Sequence, residues 1–146
     1  MTIRQLSVFM ENKSGILNEI LSVLAQNNIN IAALTVADTN DYGILRLLVS
    51  DPQSALEKLR EKQFTVRIHD VLSLEMAPEP GSLYRILHHF AEARISMEYV
   101  YAFSFGSKSI VVFRTDNREK AEKVIKEKGL KSVREEDLKP TQTLSE

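Results

Sequence analysis

Two short stretches hold the residues best placed to do chemistry: Glu11-Asn12-Lys13-Ser14-Gly15-Ile16-Leu17 and Ala77-Pro78-Glu79-Pro80-Gly81-Ser82-Leu83. In each, a glycine opens a helical pattern directly after an apolar, strand-like run. The first N–H groups of a helix have no intrahelical acceptor, and the helix dipole makes that end positive. Such a turn therefore suits an anion such as a carboxylate. Glycine also lets a ligand approach the backbone where a side chain would block it. One turn of this kind is a weak signal, and its recurrence makes it informative.

Other chemistries find little footing. The chain has no cysteine, which excludes disulfides, thiol catalysis and thiolate-held zinc. His88 and His89 are adjacent on a helical stretch, so their side chains point about 100° apart and do not suit one metal ion. There is no evident nucleophile–base pair, metal cluster or catalytic carboxylate pair, so the expectation is a non-enzyme without cofactor or metal. A net charge of -1 gives no electrostatic footprint for nucleic acid or an anionic membrane. With 43% hydrophobic and 27% charged residues the chain can bury a core and keep a solvated surface. No secretory signal is recognisable, and no run approaches the roughly 18 apolar residues of a membrane span. A cytoplasmic location is expected.

The elements that must position the two turns follow from periodicity. Ile3 to Met10 reads as a strand. From Gly15 the residues Ile16, Leu17, Ile20, Leu21, Val23 and Leu24 recur at helical spacing, with Ser14 as the expected N-cap and Asn27-Asn28 as the stop. Ile29–Ala37 and Tyr42–Val49 read as strands of a hairpin around Asp38-Thr39-Asn40-Asp41. Asp51-Pro52 opens a second helix, with Pro52 at its first position and Ala55, Leu56 and Leu59 inward. Phe64–Ile68 is the fourth strand. The order is that of a split βαβ, ferredoxin-like sandwich, of the α+β class.

The same order then repeats. Val71–Met76, Ile95–Phe103, Ser109–Arg114 and Leu130–Val133 are expected strands, and Gly81–Ala93 and Asn117–Lys128 helices, with a turn at Phe105-Gly106-Ser107-Lys108 and Gly129 as a stop. The aromatics Tyr99, Tyr101, Phe103 and Phe105 alternate along one strand and so share a face, most simply one used for core or inter-module packing. The halves align without a gap at 81 − 15 = 66 residues, which pairs Leu6 with Leu72, Met10 with Met76, Leu21 with Leu87, Ile44 with Ile110 and Ala55 with Ala121. A glycine, a helix and a hairpin all in register mark a duplication. The expected modules are 1–70 and 71–134, with a mobile tail at 135–146. No Pro, Gly or Ser cluster separates the halves, so close packing is expected. Modules of about 70 residues gain from a packed neighbour.

Each half resembles an ACT domain, the small βαββαβ regulatory module that binds amino acids beside many metabolic enzymes. The resemblance is carried by Glu11 to Leu17 and by Asn28-Ile29-Asn30-Ile31-Ala32-Ala33 in the first half. The first version is similar to the serine-sensing ACT domain of phosphoglycerate dehydrogenase. The second half carries it with Pro80-Gly81-Ser82-Leu83 and Ile95-Ser96-Met97-Glu98-Tyr99. It implies two ferredoxin-like modules in tandem, their sheets side by side with helices on one face. It also implies a small amino-acid ligand at an interface between modules, homodimerisation and a metabolic enzyme as partner.

By that resemblance the binding residues are Asn12, Lys13, Ser14, Gly15, Ile16, Leu17, Asn30 and Ile31 in the first module, and Pro80, Gly81, Ser82, Leu83 and Ser96 in the second. The backbone at Gly15 would take the ligand carboxylate, the Asn12 carbonyl its ammonium, and Asn30 would reach across an interface. Ser14 departs from the usual proline. Pro78 stands opposite Asn12 and Ser96 opposite Asn30, so the second module lacks both amides, and the first is the better site. Two other functions fit the same fold: a dimerisation module with a vestigial pocket, and a small enzyme.

Overall fold

The computed structural model describes residues 1–39 and 41–139. Asn40, within the expected hairpin turn, and Pro140–Glu146, within the expected tail, lie outside the described residues. The chain divides into two compact units, residues 4–70 with 138–139 and residues 71–137 with 1–3. Among the described residues, no helix is long and apolar enough to cross a membrane.

In the first unit the elements are β1 (Thr2–Glu11), α1 (Ile16–Gln26), β2 (Ile31–Asp38), β3 (Tyr42–Val49), α2 (Pro52–Glu61) and the beginning of β4 (Thr65–Met76). The strands run β2-β3-β1-β4. Side chains alternate across a strand, so Leu6, Val8 and Met10 of β1 and Leu45 and Leu47 of β3 share one face. They pack there with Ile20, Val23 and Leu24 of α1 and with Ala55, Leu56 and Leu59 of α2 as an apolar core. The other face carries Ser7, Phe9, Ile44 and Arg46. Asp51 caps α2 by accepting from the Ser54 N–H at 3.1 Å, with Pro52 inside the first turn.

The second unit holds the end of β4, then α3 (Ser82–Glu92), β5 (Met97–Phe105), β6 (Lys108–Thr115), α4 (Arg118–Glu127) and all but the last residue of a short 3-10 helix, Glu135–Leu138. Its strands run β4-β6-β5. Phe90 and Phe113, with ring centroids 5.1 Å apart, anchor a core shared with Leu72, Leu74, Val111, Ala121 and Ile125.

The backbone repeats at the 66-residue spacing read from the sequence. Adding 66 to Ile16–Gln26 gives Ser82–Glu92, to Tyr42–Val49 gives Lys108–Thr115, and to Pro52–Glu61 gives Arg118–Glu127, which are the observed bounds. Gly15 and Gly81 have φ of 87° and 88°. The left-handed residues Asn28 and Gln63 recur as Arg94 and Gly129. Two strand-entry clamps recur as well. Asn30 and Ser50 are joined by Asn30 N–H to Ser50 Oγ and Ser50 N–H to Asn30 C=O, both at 2.9 Å. Ser96 and Asp116 are joined in the same way at 3.1 Å.

Several expectations need correction. The separate strands 64–68 and 71–76 are one strand, β4, because no glycine or proline breaks the extended run through Arg67-Ile68-His69-Asp70. Ser14 does not cap α1: the N-cap position falls on Gly15, whose left-handed backbone turns the chain without a side-chain cap. The expected last strand, Leu130–Val133, is reduced to a single bridge between Leu74 and Ser132, supported by the hydrogen bonds Glu75 N–H to Lys131 C=O and Val133 N–H to Ser73 C=O. At the start of the expected tail, Glu135–Leu138 is helical and Leu138 is buried. The β5 aromatics are half-buried on the face away from the helices. Val100 and Ala102 pair with the core residues Phe113 and Val111, whereas Tyr99 and Tyr101 pair with Arg114 and Val112.

Candidate functional site

The loop between β1 and α1 is built from the backbone outward. Asn12 N–H donates to Asp41 C=O at 3.1 Å, which ties the loop to the β2–β3 hairpin, and Lys13 N–H donates to Glu11 C=O at 2.8 Å. Gly15 then adopts φ 87°, a conformation that costs an L side chain about 1–2 kcal/mol. A Cβ placed on Gly15 would meet nothing within 4 Å, so the space over the helix start is open.

Beside this loop lies a cavity of about 210 Å³, lined by Met10, Glu11, Asn12, Lys13, Ile16, Leu17, Val36, Asp38 and Gly43. Four of the residues expected from sequence, Asn12, Lys13, Ile16 and Leu17, are brought together there. Ser14 and Gly15 belong to the same loop but not to the lining. Asn30 and Ile31 stand at the other end of β2, 38 − 30 = 8 residues from Asp38, a distance of about 26 Å along a strand. Asn30 is held there by its backbone clamp to Ser50.

The cavity lining combines charged groups of both signs with an apolar wall. The Lys13 ammonium lies 2.7 Å from a Glu11 carboxylate oxygen. That hydrogen bond first, and the Glu11 charge second, hold the Lys13 pKa above its ordinary value, so it is cationic throughout the neutral range. Asp38 supplies a carboxylate at the end of β2, and Asn12 adds an amide side chain to the lining. Met10, Ile16, Leu17 and Val36 supply apolar surface. This donor and acceptor set fits a zwitterion with a small side chain. Asp38, Val36, Met10, Glu11 and Gly43 are absent from the binding residues read from sequence. The signal for Asp38 and Val36 is the alternation of β2, which puts both on the face of the sheet that α1 covers, and the register opposing Asp38 to Gly43.

The corresponding loop of the second unit also borders a cavity, of about 330 Å³, lined by Met76, Ala77, Pro78 and Ser109 at the matching positions and by Glu75, Ser107, Lys108 and Lys131, but its helix start is covered. There Arg85 reaches back over the helix start, pairing with Glu79 at 2.8 Å and donating to Ser82 Oγ at 3.3 Å. A Cβ on Gly81 would lie 2.9 Å from Arg85 Nη1. Pro80 precedes that glycine, Ser82 is buried, and Leu83 is exposed on α3. Ser96, like Asn30, is clamped at the strand entry by its N–H. The positions matching Asp38 and Gly43 are Ser104 and Ser109, at 38 + 66 and 43 + 66, so the charged acceptor is lost.

His88 pairs with Glu92 at 2.9 Å and stacks on Tyr84, with ring centroids 5.5 Å apart. Among the described residues there is no group of three or more side chains arranged to hold a metal.

Comparison with known proteins extends these observations. A family model described as an ACT domain pair matches residues 1–142. The acetolactate synthase isozyme 3 small subunit of Salmonella typhimurium is 28% identical over 109 residues, which cover 73% of this chain and 61% of that protein. The chain thus spans less than two thirds of the length of the curated relatives it matches. A crystal structure of a Bacteroides thetaiotaomicron protein is 40% identical with a TM-score of 0.88, covering 94% of this chain and 96% of that one. The regulatory subunit of aspartate kinase from Thermus thermophilus shares the fold, with a TM-score of 0.61 at 14% identity over 85% of this chain and 91% of that one. With the repeated βαββαβ order and the two glycine turns in place, the family match identifies this chain as a member of the ACT domain pair family.

Proposed function

We propose that this chain is a non-catalytic regulatory protein that binds a small amino acid at the β1–α1 loop of its first module and signals by changing its assembly or partner contacts. The observation that carries the reading is the contrast between the two loops. The Gly15 loop borders a cavity that brings Lys13, Asp38 and the Asn12 amide into one lining, whereas the cavity beside the Gly81 loop has Pro78 in place of that amide and Ser104 at the position of that aspartate, and Arg85 and Glu79 pair over its helix start. A ligand carboxylate would meet the helix start and Lys13, its ammonium would meet Asp38 and the Asn12 amide oxygen, and its side chain would lie on Ile16, Leu17 and Val36. The relatives named small subunit and regulatory subunit support a partner role beside a metabolic enzyme.

The assembly proposed is a homodimer. Among the described residues β2 pairs only with β3, and it exposes Leu34 and Val36 at 43% and 40%. An unpaired apolar edge is a template for strand addition. If two copies join antiparallel through β2, the start of one strand lies beside the end of the other. Asn30 of the partner subunit would then approach Asp38 and the loop, completing the site across the interface. A ligand touching both chains stabilises the dimer by its differential affinity for that state.

The test is a thermal-shift screen against the twenty amino acids, with Asn12→Ala and Asp38→Asn beside the wild type. One or a few amino acids should raise the wild-type midpoint, with each variant losing most of the response. A screen with no response would overturn amino-acid sensing and leave a dimerisation module.

A further inference from the structure

The first module carries a second concave site on the sheet face turned away from its helices. On β1, Ser7 and Phe9 face it; on β3, Ile44; on β4, the alternating residues Thr65, Arg67 and His69. Together they enclose about 250 Å³. The neighbours on β4, Val66 and Ile68, pack toward the apolar core, which fixes the opposite direction of the other three.

The composition of this face is unusual for a surface that meets only water. Phe9, Tyr42 and Ile44 are exposed at 46%, 47% and 36%, and the Phe9 and Tyr42 rings lie 4.8 Å apart at 32°. An aromatic pair is thus left half open beside cations. The lining contains no carboxylate. Arg67 makes no ion pair or hydrogen bond among the described residues, and Arg46 lies opposite Ser7 on the same face. Glu11, across from Tyr42, is engaged by Lys13 at 2.7 Å. The second module does not repeat the arrangement: Phe9, Tyr42 and Arg67 correspond to Glu75, Lys108 and Val133 at the 66-residue offset.

From this we infer that the sheet face of the first module binds a small aromatic carboxylate, distinct from the ligand of the β1–α1 loop. The ring would lie against Phe9 and Ile44, offset from the Phe9–Tyr42 pair. The carboxylate would take the planar N–H fork of Arg67, with the Ser7 and Thr65 hydroxyls as further donors. The cavity suits a single ring with a short acidic arm and is too small for a polymer segment. The charge is complementary: a lone anion meets a guanidinium that no residue of the described chain neutralises.

Phenylpyruvate is the probe, titrated into the full chain and followed by amide NMR, with pyruvate, benzyl alcohol and phenyl phosphate as comparisons. The expected result is saturable binding with shifts at Ser7, Thr65 and His69. Arg67→Leu and Phe9→Ser should each weaken it at least tenfold, while Gly43→Val, which fills the cavity by the loop, leaves it unchanged. Both substituted side chains are exposed, so the fold is not at stake. Pyruvate binding as well as phenylpyruvate would show that the ring is not read, and benzyl alcohol doing so would show that the charge is not; either overturns the assignment. Preference for phenyl phosphate overturns the carboxylate. Absence of saturable binding, or binding that survives Arg67→Leu, overturns the site.

Discussion

Gly43→Val is the perturbation that separates ligand binding from folding most cleanly. Gly43 is buried in β3, lines the loop cavity and does not have a positive φ, so a β-branched residue suits its backbone. Its new Cβ would lie 3.1 Å from Met10 Cε and 3.6 Å from Ala37 O. The close contact is with the terminal methyl of a flexible side chain, which can swing aside at a cost of about 1 kcal/mol or less. Replacing glycine within a strand returns roughly 0.5–1 kcal/mol. Stability should therefore change by less than about 1 kcal/mol.

Binding should change far more. A ligand at a hundredfold excess over Kd stabilises the wild type by about 2.7 kcal/mol, and a hundredfold loss of affinity leaves about 0.4 kcal/mol. For a chain of this size those figures correspond to midpoint shifts of roughly 5–10 °C and about 1 °C. Urea denaturation without ligand and thermal shift with the responding amino acid measure the two quantities. A variant as stable as wild type that keeps the full shift would move the ligand out of the cavity. A loss of more than about 2 kcal/mol without ligand would refute the argument that Met10 yields.

Other consequences are accessible by the same methods. Gln63, at φ 69°, has Gly129 as its counterpart, so Gln63→Gly should gain about 0.5–1 kcal/mol in urea denaturation, the left-handed penalty outweighing the added unfolded-state freedom. Phe90→Ala removes a fully buried ring packed on Phe113 and should cost about 3–5 kcal/mol by the same measurement. Asp137 accepts from the Arg134 N–H at 3.1 Å, which holds its pKa below the ordinary carboxylate value. Its contribution is therefore present above the unfolded carboxylate pKa and is lost as pH falls through the folded value. The Arg134 amide resonance should shift with acid in wild type and stay constant in Asp137→Asn.

Much of the architecture was legible because local signals agreed. Asp51-Pro52, Asn27-Asn28 and the glycine stop at Gly129 each act through backbone preferences that need no tertiary context, and each lies where expected. The duplication was legible for the same reason, since equal spacing of caps and stops survives divergence between them. What escaped was set by partners distant in sequence. β4 reads as two strands because polar residues separate its apolar ends, yet it runs unbroken from Thr65 to Met76 between β1 and β6. The last strand failed to extend although Leu130 and Val133 have the right composition. By composition Asp38 belongs to a turn cluster, and its place in the cavity depends on pairing with Gly43 and on the loop held by Asp41 C=O. Ser14 has the type of a cap, yet the left-handed Gly15 takes the N-cap position and no side chain caps α1.

The shared 66-residue cadence has a practical consequence. The chain carries its own comparison: two glycine turns of one backbone geometry, one beside Lys13 and Asp38, the other spanned by Arg85 and Glu79. A solute that acts through bulk solvent changes Gly15 and Gly81 alike, and a ligand held by the Gly15 loop changes them unequally. Every titration of this molecule is thereby internally referenced, within one sample and at one protein concentration.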